Sequence, residues 1–322
     1  FAEFEAGLPA LQGKTVAITG CTSGTGLVAA KTCAKKGARV LMLNRASARA
    51  DAAVETVKKI EGAVVEAVEC DLQDFASVKA AASKVKELCA DDGLDVLCNN
   101  AGVMALTDSA TKDGYDVQMQ TNHLSHFLLS REVFPLLEKA AALRGDARVV
   151  NHSSGARNYP PSKLGAKYLG KNGGSLGGDG NSMIFGGARW QRYHQTKLAN
   201  AVFTLALADK IPAATKVKAL VCAPGLAATN LQVTTAKDGG FTDSWIMKYG
   251  QSAEDGTMPL LHAMLAPDVQ SGSLYEPSGF MHLKGTPAVS PLESLSTNPD
   301  SRALLWAESE AACGPWPLSA GN

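Results

Sequence analysis

Near its start the chain reads Thr15-Val-Ala-Ile-Thr-Gly20-Cys-Thr-Ser-Gly24-Thr-Gly26. β-Branched and small apolar residues predict a buried strand, the glycines predict a turn, and the residues that follow predict a helix ending at Gly37. Gly20 permits a tight turn, Gly24 leaves room for a close backbone approach, and Gly26 lets the helix pack on the sheet. Because a helix N-terminus favours an anion, the pattern predicts a phosphate-binding turn. The spacing is G-x-x-x-G-x-G rather than the commoner G-x-G-x-x-G, so an ordinary loop remains the alternative.

Three further apolar runs predict strands, and each is followed by polar or glycine residues. The runs end at Asn44-Arg45, at Asp71-Leu72 and at Asn100-Ala101-Gly102. Strands that alternate with helices at this spacing predict an α/β fold, a single doubly wound parallel sheet with helices on both faces. The carboxyl ends of parallel strands meet at one edge, so these positions and Gly20 are expected to converge on a ligand.

The end of the second strand distinguishes between two dinucleotides. An acidic residue there would accept hydrogen bonds from the ribose hydroxyls of NAD, whereas a cation favours the 2′-phosphate of NADP. Arg45, with Arg49 close behind, therefore predicts NADP(H); a solvated arginine at the start of the next helix is the alternative. Asp71 could accept from an adenine amino group, or cap the helix that follows from Asp74.

The bulk composition predicts one large soluble domain over residues 1–322. The 31 basic and 31 acidic residues balance, so no global field recruits nucleic acid or an anionic membrane. No apolar run approaches the roughly 20 residues of a transmembrane helix. Seven cysteines without a CxxC pair indicate buried thiols in a reducing compartment, either the cytoplasm or an organelle stroma or matrix. Since the chain begins at Phe1, a removed targeting segment and a trimmed chain both remain open.

A long helix is predicted from Tyr115 to Leu137. It contains Asn122, a polar amide on a core-facing helix, which needs a reason to be buried. His123 and His126 lie three residues apart and could face the same way. No Cys, Asp or Glu at matching helical spacing completes a ligand set, so no metal site is predicted.

Two later segments carry weaker signals. Residues 157–190 are rich in Gly, Ser and Asn from Lys167 to Gly187, where no core is expected to form. They predict a flap beside the ligand, either enclosing substrate or inert. Residues 230–250 mix apolar bulk with Gly and Asp, and predict a lid over an apolar ligand or a second core edge.

The C-terminal part of the chain is predicted to complete the fold. A helix is predicted over 252–265, a strand at 273–275 that closes the sheet, and a tail over 287–322 with one short helix.

The motifs together resemble the short-chain dehydrogenase/reductase family from about Lys14 to Gly314. They are TGCTSGTG at Thr19 to Gly26, CDL at Cys70 to Leu72, NNAG at Asn99 to Gly102, Asn122, Ser154, YHQTK at Tyr193 to Lys197 and PG at Pro224 to Gly225. NNAGVM, TNHLSHFLL and the long segment before YHQTKLAN are most similar to the branch of retinol dehydrogenases, WW-domain oxidoreductase and light-dependent protochlorophyllide reductases. Thr25 departs from the aliphatic residue usual in the family, and Ser125 from the glycine frequent in that branch.

The resemblance implies a catalytic tetrad of Asn122, Ser154, Tyr193 and Lys197. Tyr193 would exchange a proton with the substrate oxygen, and Lys197 would stabilise its phenolate and hold the nicotinamide ribose. Ser154 would hold the substrate oxygen, and Asn122 would position a water. The cofactor-binding positions it implies are Gly20, Thr22, Ser23, Gly24, Thr25, Gly26, Asn44, Arg45, Asp71, Leu72, Asn100, Ala101, Gly102, Tyr193, Lys197, Pro224, Gly225 and Thr229.

The predicted function is that of an NADP-dependent oxidoreductase. It would transfer a hydride between the nicotinamide and a carbonyl or alcohol of a bulky apolar substrate, such as a retinoid, steroid, isoprenoid or pigment. The alternatives are a protochlorophyllide-type C=C reductase and a catalytically silent NADP(H)-sensing module. In many relatives the helices matching Tyr115 to Leu137 and Tyr193 to Asp209 pair subunits, so a homodimer is left open unless the long insertion blocks it.

Overall fold

The chain folds around one twisted sheet, as the computed structural model shows for residues 1–160, 162–181, 186–226 and 250–317. Within these residues the strand order is β3-β2-β1-β4-β5-β6-β7-β8. The strands are β1 Thr15–Thr19, β2 Arg39–Asn44, β3 Val64–Glu69, β4 Val96–Asn99, β5 Ala147–His152, β6 Val217–Cys222, β7 Leu274–Pro277 and β8 Pro287–Ser290. The pairs from β3 through β7 are parallel, and β8 is antiparallel to β7. The predicted doubly wound α/β fold is confirmed.

Helices cover both faces of this sheet. Their bounds are α1 Ala2–Gly7, α2 Gly24–Lys35, α3 Ala48–Lys58, α4 Phe75–Leu88, α5 Val117–Met119, α6 Ser125–Arg144, α7 Ala166–Leu169, α8 Ala188–Lys210, α9 Ala253–Leu265, α10 Ser294–Thr297 and α11 Pro299–Cys313. A π-helical turn, Gln120–Leu124, joins α5 to α6. In the part of the chain described here, none of the helices is both long and apolar enough to cross a membrane.

The central strands are buried on both faces, which explains their near-continuous apolar runs. Every residue of β1 is buried, and so is every residue of β4. Because the chain runs outward from β1 to β3 and then returns to β4 on the other side of β1, the strand order reverses between β1 and β4. Such a reversal opens a crevice at the carboxyl ends of the strands, where ligands bind in open α/β sheets.

The predicted end of the sheet is wrong, because β8 pairs beyond β7, with Tyr275 opposite Val289. Pro287 begins this edge strand, where a proline does not interrupt the ladder. The segment predicted as a tail is therefore part of the fold. The rings of Trp306 and Trp316 lie 5.4 and 5.0 Å from that of Phe127 on α6. Residues 1–13, which show no sequence period, contain α1.

The two helices considered for subunit pairing are covered within the chain. Phe127 on α6 and Phe203 on α8 are fully buried, and Trp316 packs against both at 5.0 and 6.1 Å between ring centroids. The apolar face of α11 lies over the same region through Leu305 and Trp306. A second subunit could reach this face of α6 and α8 only by displacing the C-terminal segment.

The glycine-rich insertion contributes to the core, contrary to prediction. Leu164, Tyr168, Leu169 and Leu176 are buried and belong to the main apolar cluster with α6 and α8. Four apolar side chains spaced among glycines show no helical or strand period, so the pattern gave no signal of burial. Residues 161 and 182–185 of this insertion, and residues 230–249 of the predicted lid, lie outside the described residues.

An acidic residue far away in the sequence anchors the insertion. The carboxylate of Asp108 accepts hydrogen bonds from the backbone N–H groups of Gly174, Leu176 and Gly178, at 3.1, 2.8 and 2.8 Å. The fully buried Arg192 of α8 forms an ion pair with Asp108 and donates to the Gly178 carbonyl at 2.8 Å. The insertion is therefore fixed against the N-terminal end of α8.

Candidate active site

The glycine turn packs as closely as its sequence predicts. Gly20 and Gly24 adopt φ angles of +73° and +55°, in the region that favours glycine. A Cβ on Gly26 would lie 2.2 Å from the Gly20 carbonyl oxygen and 2.5 Å from Asn100 Nδ2. Ser23 precedes α2 without a side-chain capping bond, and the first turn of α2 carries no acidic residue. The amide groups at this N-terminus are thus available to an anion.

Polar side chains at the end of β2 border the turn. Arg45 is exposed, and its guanidinium has no hydrogen-bond or ion-pair partner among the described residues. Asn44 is buried; its Oδ1 accepts from the Cys21 N–H at 2.7 Å, while its Nδ2 has no partner in the described part of the chain. A buried amide donor and a free cation therefore lie at this strand end.

Asp71 and Leu72 form the turn after β3. The Asp71 carboxylate accepts from the Gln73 N–H at 2.9 Å and is half-buried. The alternative in which Asp71 caps the next helix is wrong, because Asp74 is the N-cap and accepts from the Ala76 N–H at 2.9 Å. Leu72 is buried in the main core, so only its backbone could face a ligand.

A hydroxyl that sequence analysis did not single out joins β1 to β4. Thr19 Oγ1 accepts from the backbone N–H groups of Asn100 and Ala101, both at 3.0 Å. It also lies 2.9 Å from His126 Nε2, and the other ring nitrogen of His126 lies 3.0 Å from the Asn122 carbonyl oxygen. The only signal in the sequence was a hydroxyl residue at the last position of an apolar strand.

Asn122 lies in the π-helical turn, and its amide is held by the protein on both sides. Oδ1 accepts from the Val103 N–H at 2.7 Å, and Nδ2 donates to the Val103 carbonyl at 2.8 Å and to Thr196 Oγ1 at 2.9 Å. These bonds connect the loop after β4 with α8. A Cβ on Gly102 would lie 3.2 Å from Asn122 Oδ1 and 3.5 Å from Lys197 Nζ, so Gly102 keeps the space between them open.

Ser154, Tyr193 and Lys197 meet beyond the carboxyl end of β5. The Ser154 hydroxyl hydrogen-bonds the Tyr193 phenol. Lys197 Nζ lies 5.8 Å from the centroid of the Tyr193 ring and donates to the His152 carbonyl at 3.0 Å. The four-residue spacing on α8 places both side chains on one face, as predicted. Tyr193 and Lys197 are only 4% and 5% exposed, so charges here are poorly screened by water.

Burial controls the protonation of this pair. It raises the pKa of Tyr193 to about 12, although the Ser154 hydrogen bond acts in the opposite direction. It lowers the pKa of Lys197 to about 8. Desolvation thus sets the resting protonation of Tyr193, and the role of Lys197 in stabilising the phenolate formed during proton transfer stays a prediction. At neutral pH, Tyr193 therefore holds its proton and Lys197 is charged.

Apolar residues surround the Tyr193 ring. Met104, Ala105, Trp190 and Tyr193 form one buried cluster, with the Trp190 ring edge-on to Tyr193 at 6.0 Å. The sequence analysis did not predict Met104, Ala105 or Trp190 as site residues, because apolar residues carry no sequence signal of such a role. The surroundings of the Tyr193 side chain are therefore mostly apolar.

The segment after β6 leaves the sheet at the same edge as β5, where Cys222 pairs with His152. Gly225 has a φ of +67°, and a Cβ there would lie 2.5 Å from the Leu283 carbonyl oxygen. The Pro224 carbonyl accepts from Gln251 Nε2. Thr229, the last predicted cofactor contact, lies outside the described residues.

Comparison with known proteins agrees with this fold. Residues 14–169 match the profile of the short chain dehydrogenase family. Retinol dehydrogenase 12 of Mus musculus is 30% identical over 270 residues, which are 81% of this chain and 76% of the relative. Retinol dehydrogenase 14 of Homo sapiens is 31% identical over 236 residues, which are 69% of this chain and 64% of the relative. The chain spans between 48% and 62% of the length of the first four curated relatives.

Solved structures show the same architecture. An uncharacterised protein from Mycobacterium paratuberculosis is 31% identical, with a TM-score of 0.73 and 98% of each chain covered. A 3-ketoacyl-(acyl-carrier-protein) reductase from Brucella melitensis, solved with NADH, is 21% identical with a TM-score of 0.60, covers 82% of this chain and 96% of its own, and shares the fold. Fold and site thus define an α/β protein of the dinucleotide-binding class. The chain belongs to the short-chain dehydrogenase/reductase family, and the resemblance of its motifs is confirmed.

Proposed function

We propose that this protein is an NADP-dependent oxidoreductase that reduces a carbonyl group on a bulky apolar substrate and catalyses the reverse reaction on the alcohol. The observation that carries the proposal is the meeting of Ser154, Tyr193 and Lys197 at the carboxyl end of β5, beside the glycine turn. Retinoids, steroids, isoprenoids and pigments are the substrate classes that this apolar environment favours.

The residues present fit a dinucleotide. The close approach at Gly26 leaves the α2 N-terminus free for a pyrophosphate, and the unpartnered Nδ2 of Asn44 offers a donor near the end of β2. Arg45 would pair with a 2′-phosphate, and Lys197 would hold the nicotinamide ribose. When bound, NADPH supplies the hydride. The chain supplies the binding groups and the proton.

Tyr193 is the proposed proton donor. Ser154 would hold the carbonyl oxygen of the substrate by a hydrogen bond, and Tyr193 would donate its phenolic proton to that oxygen as the carbon gains a hydride. The raised pKa of Tyr193 keeps the phenol protonated at neutral pH, which suits carbonyl reduction. The charged Lys197 would stabilise the phenolate that remains after transfer.

The substrate class is inferred from the surroundings of Tyr193. Trp190, Met104 and Ala105 present apolar surface around the phenol. Burying apolar surface is the main source of affinity in sites of this kind. Several relatives of this chain are named retinol dehydrogenases, which supports an isoprenoid alcohol or aldehyde.

We also propose a reducing compartment for the protein, cytoplasmic or within an organelle stroma or matrix. All seven cysteines are free and buried, and burial raises the pKa of Cys33 to about 12, so that the thiol stays protonated. Recovery of the native protein with a disulfide between any two of these cysteines would contradict this assignment.

The cofactor preference depends on Arg45. In a titration followed by nicotinamide fluorescence, we expect the unmodified protein to bind NADPH more tightly than NADH. Arg45→Asp should weaken NADPH binding about 10- to 100-fold, because a charge-assisted contact to a phosphate is lost and a like charge replaces it. NADH binding should change little.

Lys59→Asp is the matched control for this variant. Lys59 is exposed at the far end of α3, and its replacement changes the net charge by the same amount. An equal loss of NADPH affinity in both variants would mean that general electrostatics, not a contact at Arg45, sets the preference. Tighter binding of NADH than NADPH by the unmodified protein would contradict the NADP assignment itself.

A further inference from the structure

His152, the last residue of β5, lies between the two halves of the site and has no role in the function proposed above. Its Nδ1 is 2.9 Å from Asn100 Oδ1. Its backbone carbonyl accepts from Lys197 Nζ at 3.0 Å and from Asn200 Nδ2 at 3.1 Å. The residue is 7% exposed. A single residue thus contacts both the loop beside the glycine turn and the lysine of the proton-transfer pair.

The contacts of Asn100 determine the orientation of its amide. Nδ2 donates to the carbonyl oxygens of Thr19 at 2.9 Å and of Gly20 at 3.3 Å. Oδ1 therefore faces the Thr25 hydroxyl, at 2.9 Å, and His152. An amide oxygen only accepts hydrogen bonds, so both Thr25 and His152 must donate. All the hydrogen-bonding positions of this amide are used.

The same contact determines the tautomer of His152. Because Nδ1 donates to Asn100, the neutral ring carries its proton on Nδ1. Burial, with a contribution from Lys197, lowers the pKa of His152 to about 3, so the ring is neutral at physiological pH. The donor is therefore present throughout the range in which an oxidoreductase would work.

The Asn100 amide in turn supports the glycine turn. It bonds the carbonyls of Thr19 and Gly20, where the chain leaves β1, and the Thr25 hydroxyl in the first turn of α2. Its Nδ2 lies 2.5 Å from the position that a Cβ on Gly26 would occupy. If the side-chain amide of Asn100 rotated away from this orientation, it would lose these hydrogen bonds and clash with α2. The backbone N–H groups at the N-terminus of α2, which are proposed to bind the pyrophosphate, would then be displaced.

We propose that His152 is a positioning residue for the cofactor: it donates a hydrogen bond from Nδ1 that fixes Asn100, and through Asn100 it holds the glycine turn in its phosphate-binding geometry. Thr25 is the second donor to the same acceptor. This inference rests on the proposed function, since it assigns to His152 and Thr25 a share in binding NADP(H). Neither side chain takes part in proton transfer.

The test is the dissociation constant of NADPH, followed by nicotinamide fluorescence, together with kcat at saturating NADPH. His152→Val should weaken NADPH binding about 3- to 10-fold, the usual net contribution of a buried hydrogen bond, with little change in kcat. His152→Asn should restore tight binding, because the asparagine Nδ2 can take the place of the imidazole Nδ1. A merely structural effect would not be rescued by this smaller polar residue.

A double-mutant cycle with Thr25→Val tests the shared acceptor. Each single variant leaves Asn100 Oδ1 one donor, whereas the double variant leaves it none among the described residues. The double variant should therefore lose more affinity than the product of the two single losses. Thr25 is half-buried on the turn, so Thr25→Val also probes the acceptor if His152→Val does not fold.

Ser309→Ala is the control, because it removes the 2.9 Å hydrogen bond of another buried histidine, His123, in the core. We expect it to leave NADPH affinity unchanged. Unchanged affinity in His152→Val, or losses that simply multiply in the double variant, would overturn the assignment of His152. If the unmodified protein itself bound neither NADPH nor NADH, the proposed function would fail before this inference was reached.

Discussion

Tyr193→Phe is expected to lower the rate of carbonyl reduction about 10²- to 10⁴-fold, the usual contribution of a positioned general acid. The variant keeps the buried ring and its packing against Trp190 but has no proton to give to the substrate oxygen. NADPH affinity should be little changed, because the glycine turn and Arg45 are untouched. The measurement is kcat with an apolar aldehyde or ketone, read as NADPH oxidation, beside a fluorescence titration of NADPH.

The control for this variant is Tyr115→Phe. Tyr115 is another buried tyrosine, packed in the main core against Phe75 at 5.6 Å between ring centroids. Loss of its hydroxyl should leave turnover unchanged. A Tyr193→Phe protein with full turnover would remove the proposed mechanism, and comparable losses in both variants would show that the hydroxyl at 193 has no special part.

Lys197→Met is expected to lower kcat/KM about 10²-fold and to change its dependence on pH. Burial holds the pKa of Lys197 at about 8, below its ordinary value. The ammonium is therefore charged below that pH and loses its charge as the pH rises through it. Reduction by the unmodified protein should be level at lower pH and fall above about pH 8, because the charge that stabilises the Tyr193 phenolate is lost.

In Lys197→Met this inflection should disappear, leaving a low and level rate across the same range. Lys210→Met, near the C-terminal end of the same helix, is the matched control and should keep both the rate and the inflection. An unchanged inflection in Lys197→Met would assign the titration to another group. The nearby His152 and His126 could not account for it, because burial lowers their pKa values to about 3 and about 4, far below this inflection.

Sequence reasoning succeeded where a local pattern has a single physical reading. The strand, glycine turn and helix from Thr15 follow from β-branched residues and from glycines that must adopt positive φ or allow close approach. The face shared by Tyr193 and Lys197 follows from helical geometry alone. Such features depend on residues within a few positions of each other, so one segment is enough to predict them.

Sequence reasoning failed where a structural feature depends on a contact between distant segments. Asp108 anchors backbone more than sixty residues further along the chain, and Thr19 contacts His126 across 107 positions. No period or spacing signals such pairs. The strand β8 was missed for a different reason: Pro287 argues against a strand in general, and only its place at the sheet edge makes it acceptable.

Protonation was also beyond the sequence. A tyrosine and a lysine four residues apart suggested a lowered phenol pKa, but both groups are almost fully buried and desolvation raises it instead. Tyr193 is buried in a cluster with Trp190 and Met104, and Met104 lies in a distant segment of the sequence. At neutral pH the phenol therefore carries its proton, as a proton donor in carbonyl reduction must.

Transfer of deuterium from cofactor to product would show directly whether this protein catalyses hydride transfer. The purified protein would be given an apolar aldehyde or ketone with NADPH labelled at one or the other C4 hydrogen, and the product would be analysed by mass spectrometry. We expect an alcohol carrying one deuterium from one labelled form and none from the other. Tight NADPH binding with no labelled product from either form, across aldehydes, ketones and tetrapyrroles, would contradict it.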